Sequence, residues 1–261
     1  MSQSKGTAFI TGASKRLGGA IALFLARNGW NIIAHYNKSR KEALKLAYNI
    51  EAEGGSCTLL QADFCKIGDV ERLAQELFQV RHHCALLVNN AAYFRNDKIE
   101  DFEYSNLMEH MSVNLAAPLF LSSKYYEYLK MEDSNLLGSV DGVLPREYNI
   151  INILDYCVLR MPSNFMSYGL SKNALWEFTK LAAYQMAPTV RVNAIGLSNV
   201  LRNTNQSHAN FEKQNAKCLI SHGPSVDGVC DAIDFTLRMK SMTGQLLLLD
   251  QGRHLNTPEP L

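Results

Sequence analysis

Three side chains in the second half of the chain have the types and the spacing of a proton-transfer centre. Tyr168 and Lys172 are four residues apart, which places them on one face of a helix, and Asp155 lies thirteen residues before the tyrosine. A nearby ammonium favours the phenolate, so we expect Lys172 to lower a phenol pKa that is ordinarily about 10. Such a phenol can donate a proton at neutral pH. A tyrosine packed in a core beside an exposed lysine would show the same spacing.

The turn T-G-A-S-K-R-L-G, residues 11–18, has the features of a phosphate-binding loop. It follows a predicted strand and opens a predicted helix, which is the context of a dinucleotide-binding turn. Gly12 permits a tight turn, Gly18 permits close helix–strand packing, and free N–H groups at the helix start attract a pyrophosphate. Arg16 replaces the middle glycine of G-x-G-x-x-G, and its guanidinium can pair with phosphate. A simple glycine-rich strand–helix connection is the alternative.

The end of the second predicted strand bears on the choice of cofactor. An NAD site usually has an acidic residue there, which hydrogen-bonds the ribose 2′-hydroxyl. Here the chain reads H-Y-N-K-S-R-K over residues 35–41, without a carboxylate. Lys38, Ser39 and Arg16 could instead neutralise a 2′-phosphate, so the sequence favours NADPH over NADH. The alternative is a basic, solvated helix start.

Two further strand ends carry candidate cofactor contacts. Asp63 follows the third predicted strand and could bind the adenine edge, although a helix N-cap explains it equally well. Asn89–Ala92 follows the fourth, and its small residues would let the backbone approach the nicotinamide ribose. An asparagine turn is the alternative for this second segment.

Strand-like and helical segments alternate along the chain. The predicted strands are residues 5–11, 31–36, 57–62, 85–88, 148–154, 190–195 and 245–249, and the predicted helices are residues 19–28, 41–53, 70–80, 103–130 and 164–186. This alternation predicts a parallel sheet with helices on both faces, and right-handed crossovers give it a doubly wound order. Residues 131–147 are predicted to form a surface loop, and the polar segment 205–218 could cover a substrate.

The composition fits one α/β domain and excludes other classes. With 261 residues, 47% of them hydrophobic, the chain can bury one large core and is marginal for two. A net charge of +1 favours neither nucleic acid nor membrane surfaces, and no apolar run approaches the roughly 18 residues that span a bilayer. The short polar start leaves no room for a signal peptide, and six cysteines without a C-x-x-C pair indicate reduced thiols. We therefore expect a cytoplasmic protein.

Two other patterns are set aside as functional signals. Adjacent histidines such as His82 and His83 point apart, and no second ligand pair follows at i+4, so we predict no metal site. Tyr125, Tyr126 and Tyr128 indicate an aromatic helix surface that packs on a partner subunit. A nucleic-acid stacking platform would also need a basic groove, which the net charge of +1 does not suggest.

Five motifs occur along the chain in a fixed order. Together they resemble the short-chain dehydrogenase/reductase family over almost the whole chain. They are T-G-A-S-K-R-L-G, N-N-A-A at 89–92, Asn114 within V-N-L-A-A-P, Tyr168-x-x-x-Lys172, and V-R-V-N-A-I at 190–195. The resemblance implies a single-domain Rossmann-type fold with a seven-stranded, doubly wound parallel sheet. It also implies nicotinamide-dependent hydride transfer, and usually a homotetramer or a dimer. The cofactor-binding half would be about 1–130, and the catalytic and substrate half about 131–261.

Within that family the chain looks like the pteridine reductases. These enzymes carry arginine in the phosphate turn, a strand-two end like H-Y-N-K-S, and aspartate at the usual serine position; Arg16, His35–Ser39 and Asp155 match them. I-N-I-L-D-Y at 151–156 and L-D-Q-G-R-H-L at 249–255 look like the bacterial dihydromonapterin reductases. Phe94 falls where these enzymes stack an aromatic ring on the pterin.

The resemblance implies a role for each candidate residue. NADPH would deliver hydride to a pterin carbon, Tyr168 and Asp155 would guide a proton to the ring nitrogen, and Lys172 would bind the nicotinamide ribose. Asn114 would hold a water that links Lys172 to solvent. The expected catalytic residues are Asp155, Tyr168, Lys172 and Asn114, and the expected substrate-binding residues are Arg16, Phe94, Asp155 and Tyr168. The expected cofactor-binding residues are Gly12, Ser14, Lys15, Arg16, Leu17, Gly18, His35, Tyr36, Asn37, Lys38, Ser39, Asp63, Phe64, Asn90, Ala91, Tyr168, Lys172 and Ser198.

An aspartate suits this substrate better than it suits a ketone. A carboxylate beside a developing alkoxide would oppose ketone reduction, because like charges repel. In a dihydropterin the reduced bond is C=N, and the nitrogen that accepts the proton needs an acid nearby. Asp155 could instead only cap the helix that follows the fifth strand.

The chain departs from the family pattern at Ala92, at Ile195–Ser198, which lacks the common P-G, and at Gln251, where glycine is common. We expect reduction of dihydropterins, dihydromonapterin first and dihydrofolate second. One alternative is an NADPH-dependent carbonyl reductase, but Asp155 is evidence against it. The other is a non-catalytic NADPH-binding protein, which would need neither Tyr168 nor Lys172.

Overall fold

A computed structural model describes residues 5–79, 84–136, 147–161, 163–202, 207–216, 218–220 and 223–256. Seven parallel strands form one sheet in the order β3-β2-β1-β4-β5-β6-β7. The strands are β1 Thr7–Ile10, β2 Asn31–Tyr36, β3 Cys57–Gln61, β4 Cys84–Asn89, β5 Tyr148–Asp155, β6 Val190–Leu197 and β7 Leu246–Leu249. The strand order reverses between β1 and β4, and the carboxyl ends of strands at such a switch point are where open α/β sheets bind ligands.

Helices cover both faces of the sheet, as the alternation predicts. They are α1 Arg16–Arg27, α2 Arg40–Ala52, α3 Ile67–Gln79, α4 Tyr104–Met111, α5 Ala117–Leu136, α6 Met166–Met186, α7 His208–Asn215 and α8 Val226–Arg238. One core cluster joins the sheet to α3, α5 and α6, with Leu73 and Leu121 fully buried. The other joins it to α1, α2 and α8 through residues such as Ile21 and Ile233. The single-domain Rossmann-type prediction is confirmed.

Several local predictions are wrong. Residues 131–136 continue helix α5 rather than starting a loop, and residues 137–146 lie outside the described residues. Tyr125 is not on a surface: it is fully buried, and its hydroxyl donates to the carbonyl oxygen of Cys84 at 3.0 Å. Helix α8 has no counterpart among the predicted elements. Part of the polar segment 205–218 forms helix α7.

The predicted helix 103–130 is divided where it carries a candidate residue. Between α4 and α5 the chain forms a π-helical turn over Ser112–Ala116, and Asn114 lies in it. Single π turns inside helices are rare and occur frequently at functional sites. In the part of the chain that the structure describes, no helix is long and apolar enough to cross a membrane.

Candidate active site

Two adjoining cavities lie at the carboxyl ends of the central strands. The larger, of about 500 Å³, is bordered by the turn after β1 and by residues that follow β2, β3 and β4. The smaller, of about 240 Å³, is bordered by the ends of β5 and β6 and by helix α6. Arg16, Leu17, Asn90 and Ala92 line both cavities, so a ligand in one can touch a ligand in the other.

The backbone of the turn after β1 explains its residue pattern. Gly12 has a φ of +65° and Arg16 a φ of +55°, both in the left-handed region. Glycine enters that region at little cost, whereas arginine does so only when its surroundings hold it there. The Arg16 guanidinium donates to the carbonyl oxygens of Arg202 at 2.9 Å and Leu201 at 3.5 Å. These bonds join the turn to the loop that follows β6.

The same turn lies against the end of β4 with no room for larger residues. A Cβ atom on Gly18 would lie 2.4 Å from the Gly12 carbonyl oxygen and 2.5 Å from the Asn90 amide nitrogen. The Thr11 hydroxyl oxygen accepts hydrogen bonds from the N–H groups of Asn90 and Ala91, both at 2.9 Å. These contacts hold the first turn of α1 open toward the larger cavity.

His35 supports the turn from beneath. Its Nδ1 accepts the N–H of Gly12 at 3.0 Å, its Nε2 donates to the Ala62 carbonyl oxygen at 3.0 Å, and its ring stacks on Phe64 at 4.2 Å. Burial lowers the pKa of His35 to about 4, so the ring stays neutral and keeps this pattern at physiological pH.

Nearly all of the predicted cofactor contacts line one of the two cavities. Among the described residues, Tyr36 is the exception; it ends β2, and its carbonyl oxygen accepts the N–H of Ala62. Lys172, Tyr168 and Ser198 line the smaller cavity and the other predicted contacts line the larger one. Asp63 does not cap helix α3; its carboxylate accepts the N–H of Cys65 and the amide of Asn37.

The lining of the larger cavity fits a dinucleotide that carries a 2′-phosphate. Among the described residues, no side-chain hydrogen bond caps the start of α1, and its first residues line the cavity. Free N–H groups at a helix start bind pyrophosphate. Asn37, Lys38 and Ser39 follow β2 in the cavity wall, so this strand end supplies a cation and a hydroxyl in place of the acid of an NAD site.

The proton-transfer residues meet in the smaller cavity. The Tyr168 hydroxyl lies 3.4 Å from the Asp155 Oδ2 atom, and the other Asp155 oxygen accepts the N–H of Cys157 at 2.9 Å. Asp155 therefore both contacts the tyrosine and caps the short 3₁₀ turn Tyr156–Val158, so the two interpretations of the sequence hold together. The Lys172 ammonium donates to the Ile153 carbonyl oxygen at 2.9 Å.

The expectation that Lys172 lowers the phenol pKa is wrong for this arrangement. Burial, and then the Asp155 carboxylate, raise the pKa of Tyr168 well above its usual value. Burial also raises the pKa of Asp155, against the hydrogen bonds from Cys157 and the charge of Lys172. Burial lowers the pKa of Lys172 to about 8. Burial thus favours the uncharged form of each of these three groups.

The Asn114 side chain joins two segments of the chain. Its oxygen accepts the N–H of Tyr93 at 2.7 Å, and its nitrogen donates to the Tyr93 carbonyl oxygen at 3.0 Å and the Ser171 hydroxyl at 2.9 Å. Asn114 therefore clamps the segment after β4 to helix α6, one residue before Lys172. The expected water between Asn114 and Lys172 stays a prediction.

Phe94 forms an aromatic wall of the smaller cavity. Its ring is 42% exposed, stacks on Phe165 at 4.8 Å, and meets Tyr168 edge-to-face at 4.7 Å. Its open face can take a flat ring beside the phenol, which is the geometry of offset aromatic stacking.

Some residues that line the larger cavity have no signal in the sequence. They are Cys65, Glu109 and Val113. They come from a loop, helix α4 and the π turn, whose approach to the cavity depends on tertiary packing. The position of Cys65 shortly after strand β3 is the one hint that the sequence offers.

The predicted absence of a metal site stays a prediction. His82 and His83 lie outside the described residues. Elsewhere, the described ranges hold no group of three or more histidine, cysteine or acidic side chains placed to bind a metal ion.

A seven-stranded, doubly wound fold with a glycine turn and a Tyr–Lys pair at its switch point defines a class of nicotinamide-dependent oxidoreductases. The family model described as short chain dehydrogenase matches residues 6–215, and the chain belongs to this family.

Its relatives within the family include enzymes named for pterin chemistry. The chain is 27% identical to the dihydromonapterin reductase of Shigella boydii serotype 4 over 94% of its own length and 95% of that protein's. It is 29% identical to the dihydromonapterin reductase of an Enterobacter species, over 95% and 96% of the two chains. The crystal structure of FolM alternative dihydrofolate reductase 1 from Brucella canis, complexed with NADP, superposes with a TM-score of 0.87 at 31% identity. The match covers 98% of this chain and 96% of that one.

Proposed function

We propose that this protein is an NADPH-dependent reductase of dihydropterins, with dihydromonapterin as the first candidate substrate and dihydrofolate as the second. The observation that carries the proposal is the Asp155–Tyr168 contact at 3.4 Å, beside the exposed ring of Phe94 in the smaller cavity. An acid pair next to a stacking surface suits a flat ring that must gain a proton on nitrogen. The names of the relatives support the same substrate class.

The acid pair would supply the proton of the reaction. When the C=N bond of the pterin is reduced, its π electrons move to nitrogen, and that nitrogen takes a proton. Asp155 and Tyr168 both have raised pKa values, so each holds its proton more firmly than the free side chain does. The two groups would act as one relay: the Tyr168 hydroxyl would donate its proton to the ring nitrogen, and a protonated Asp155 would return a proton to the Tyr168 oxygen.

The cofactor would be held mainly by the larger cavity. Bound NADPH would supply a hydride to the ring carbon. Arg16, Lys38 and Ser39 would contact its phosphates, and the start of α1 would receive the pyrophosphate. Lys172 would bind the nicotinamide ribose. Its nitrogen lies 5.8 Å from the centre of the Tyr168 ring.

The two halves of the chain would divide this work. Residues 1–130 would hold the cofactor, and residues 131–261 would supply the proton and most of the substrate contacts, with Phe94 and Asn114 contributed from the first half. We propose, from the family resemblance, a homotetramer that acts in the cytoplasm. Exposed aromatic side chains such as Tyr104 and Tyr184 support an assembly, and sedimentation of the purified protein measures it.

The test is NADPH oxidation followed by absorbance with dihydromonapterin, dihydrobiopterin and dihydrofolate side by side, together with a panel of oxoacyl and sugar-like carbonyl compounds. We expect turnover of the dihydropterins, with NADPH bound more tightly than NADH. Faster turnover of a carbonyl compound would favour a carbonyl reductase. Tight NADPH binding without turnover of either panel would favour a non-catalytic protein.

A further inference from the structure

We propose that Asp97 and His110 are positioning residues that hold the Phe94 ring at its angle to Tyr168 and thereby set the affinity of the site for a flat bicyclic substrate. The inference rests on the proposed function and adds two residues to it. Neither residue lines either cavity among the described residues, so both would act through their neighbours. Asp97 would act through the segment that carries Phe94. His110 would act through the same segment and through its own edge contact with the Tyr168 ring, at 6.2 Å between ring centres.

Asp97 fastens this segment to the start of helix α6. The Asp97 side chain is 3% exposed, and its carboxylate accepts the N–H of Ser167 at 3.0 Å and also the Ser167 hydroxyl. The Asp97 carbonyl oxygen accepts the N–H of Met166 at 3.2 Å, and Asp97 pairs with Phe165 in an isolated parallel bridge. Asp97, although it belongs to another segment, thus caps the start of helix α6 at Ser167, the residue before Tyr168.

His110 fastens the segment to helix α4. The fully buried His110 ring donates from Nδ1 to the Asn106 carbonyl oxygen at 2.8 Å, and its Nε2 accepts the N–H of Arg95 at 3.3 Å. Burial lowers the pKa of His110, which keeps Nε2 free to accept that bond. The same ring meets Tyr93 edge-to-face at 4.7 Å.

The anchors lie on both sides of Phe94. Tyr93 is clamped by Asn114, the Arg95 backbone by His110, and Asp97 by Ser167. Among the described residues, the Phe94 ring meets the rings of Phe165 and Tyr168. Its orientation is therefore set by these rings and by the backbone on each side of it. Loss of one anchor would tilt or free the ring while the Tyr168 hydroxyl and the Asp155 carboxyl group remain in the site.

The test is a double-mutant cycle between Asp97→Ala and Phe94→Ala, read as KM and kcat for dihydromonapterin and as Kd for NADPH. If Asp97 acts through Phe94, the single change raises KM about tenfold with kcat nearly unchanged, and the double variant is no worse than Phe94→Ala alone. NADPH affinity stays at the wild-type value. Asp97→Asn, which keeps an acceptor for the Ser167 N–H, restores most of the affinity.

Three further variants keep the test decisive. Asp101→Ala is the matched control, because Asp101 accepts a backbone N–H in the same segment, at Lys98, but is exposed and makes no described contact with α6. If Asp97→Ala does not fold, Ser167→Ala removes one partner of the anchor, and His110→Phe removes the other anchor while keeping a ring. Each is expected to raise KM in the same direction.

Three results would overturn the inference while leaving the proposed function in place. The KM effects of Asp97→Ala and Phe94→Ala could multiply in the double variant. Asp97→Ala could lower kcat and NADPH affinity as much as it raises KM, or Asp101→Ala could raise KM as much as Asp97→Ala does. If the wild-type protein oxidises no NADPH with any dihydropterin, the proposed function itself is wrong, and the inference falls with it.

Discussion

The two cavities of this protein are lined by different kinds of chemical group. The larger one is formed by backbone N–H groups, glycines and exposed polar or cationic side chains at the ends of strands β1 to β4. The smaller one contains the buried ionisable side chains of Tyr168 and Lys172, and a partly buried Asp155 that contacts the Tyr168 hydroxyl. Charge in the first is solvated and screened, whereas charge in the second is governed by burial.

Because of this difference, we expect the larger cavity to determine mainly the affinity for the cofactor and the smaller cavity to determine mainly the rate of the reaction. Solvated cations in the larger cavity can be changed one at a time, with modest and salt-dependent losses of cofactor binding. The groups in the smaller cavity depend on one another, because each raises or lowers the pKa of its neighbours. Changes to Asp155 or Tyr168 should therefore reduce the rate strongly and alter cofactor affinity much less.

The largest effect is expected for Tyr168→Phe. The change keeps the ring that packs on Phe94 and removes the hydroxyl beside Asp155, so kcat should fall about 10²- to 10⁴-fold while Kd for NADPH stays unchanged. Steady-state kinetics and fluorescence titration of NADPH measure the two quantities. Tyr156→Phe, at a neighbouring partly buried position, serves as the control; an equal loss there would break the comparison.

A somewhat smaller loss is expected for Asp155→Asn. The amide oxygen can still accept the N–H of Cys157, so the cap and the fold should survive, but the acid is gone. We expect kcat for dihydromonapterin to fall about 100-fold. Full retention of activity would show that Asp155 serves only as a cap.

Gly18→Ala should affect the larger cavity through packing rather than charge. Its new Cβ would meet the Gly12 carbonyl oxygen at 2.4 Å, so the turn must shift. We expect the free energy of unfolding to fall by about 1–3 kcal/mol, with a higher KM for NADPH. Thermal unfolding checks the first, and Gly68→Ala is the control because a Cβ there meets open space. A fully stable Gly18→Ala variant with unchanged KM would contradict the described turn.

The smallest effect is expected for Lys38→Ala. Losing one solvated charge-assisted contact to a 2′-phosphate should reduce the preference for NADPH over NADH about tenfold, without changing kcat. The preference is measured as the ratio of kcat/KM values at low and moderate salt. Lys45→Ala, on helix α2 and away from the cavity, should leave this preference unchanged. If the two variants behave alike, Lys38 does not select the cofactor.

The sequence predicts the parts of the site that depend on local pattern. Alternating segments define the sheet, and the turn of residues 11–18 marks its switch point. The i, i+4 spacing places Tyr168 and Lys172 together because helix geometry is regular. The local pattern places Asp155 directly after the fifth predicted strand, whereas its place beside Tyr168 was expected from the family resemblance alone.

What escaped prediction depends on burial and tertiary packing. The raised pKa of Tyr168 follows from how completely the fold removes it from water, which spacing cannot show. The roles of His35, Asp97 and Asn114 as clamps depend on partners far along the chain. Tyr125 was assigned to a surface because an aromatic run on a helix does not reveal which face packs inward.

The most direct test of the acid role of Asp155 is the pH dependence of kcat/KM for dihydromonapterin, in the wild type and in Asp155→Asn. A raised pKa keeps the carboxyl protonated to higher pH than an ordinary aspartate, and the rate should fall as pH rises through that pKa. In Asp155→Asn the lower rate should lose this fall, because the remaining donor Tyr168 has a pKa well above its usual value. An unchanged pH profile in the variant would contradict the account.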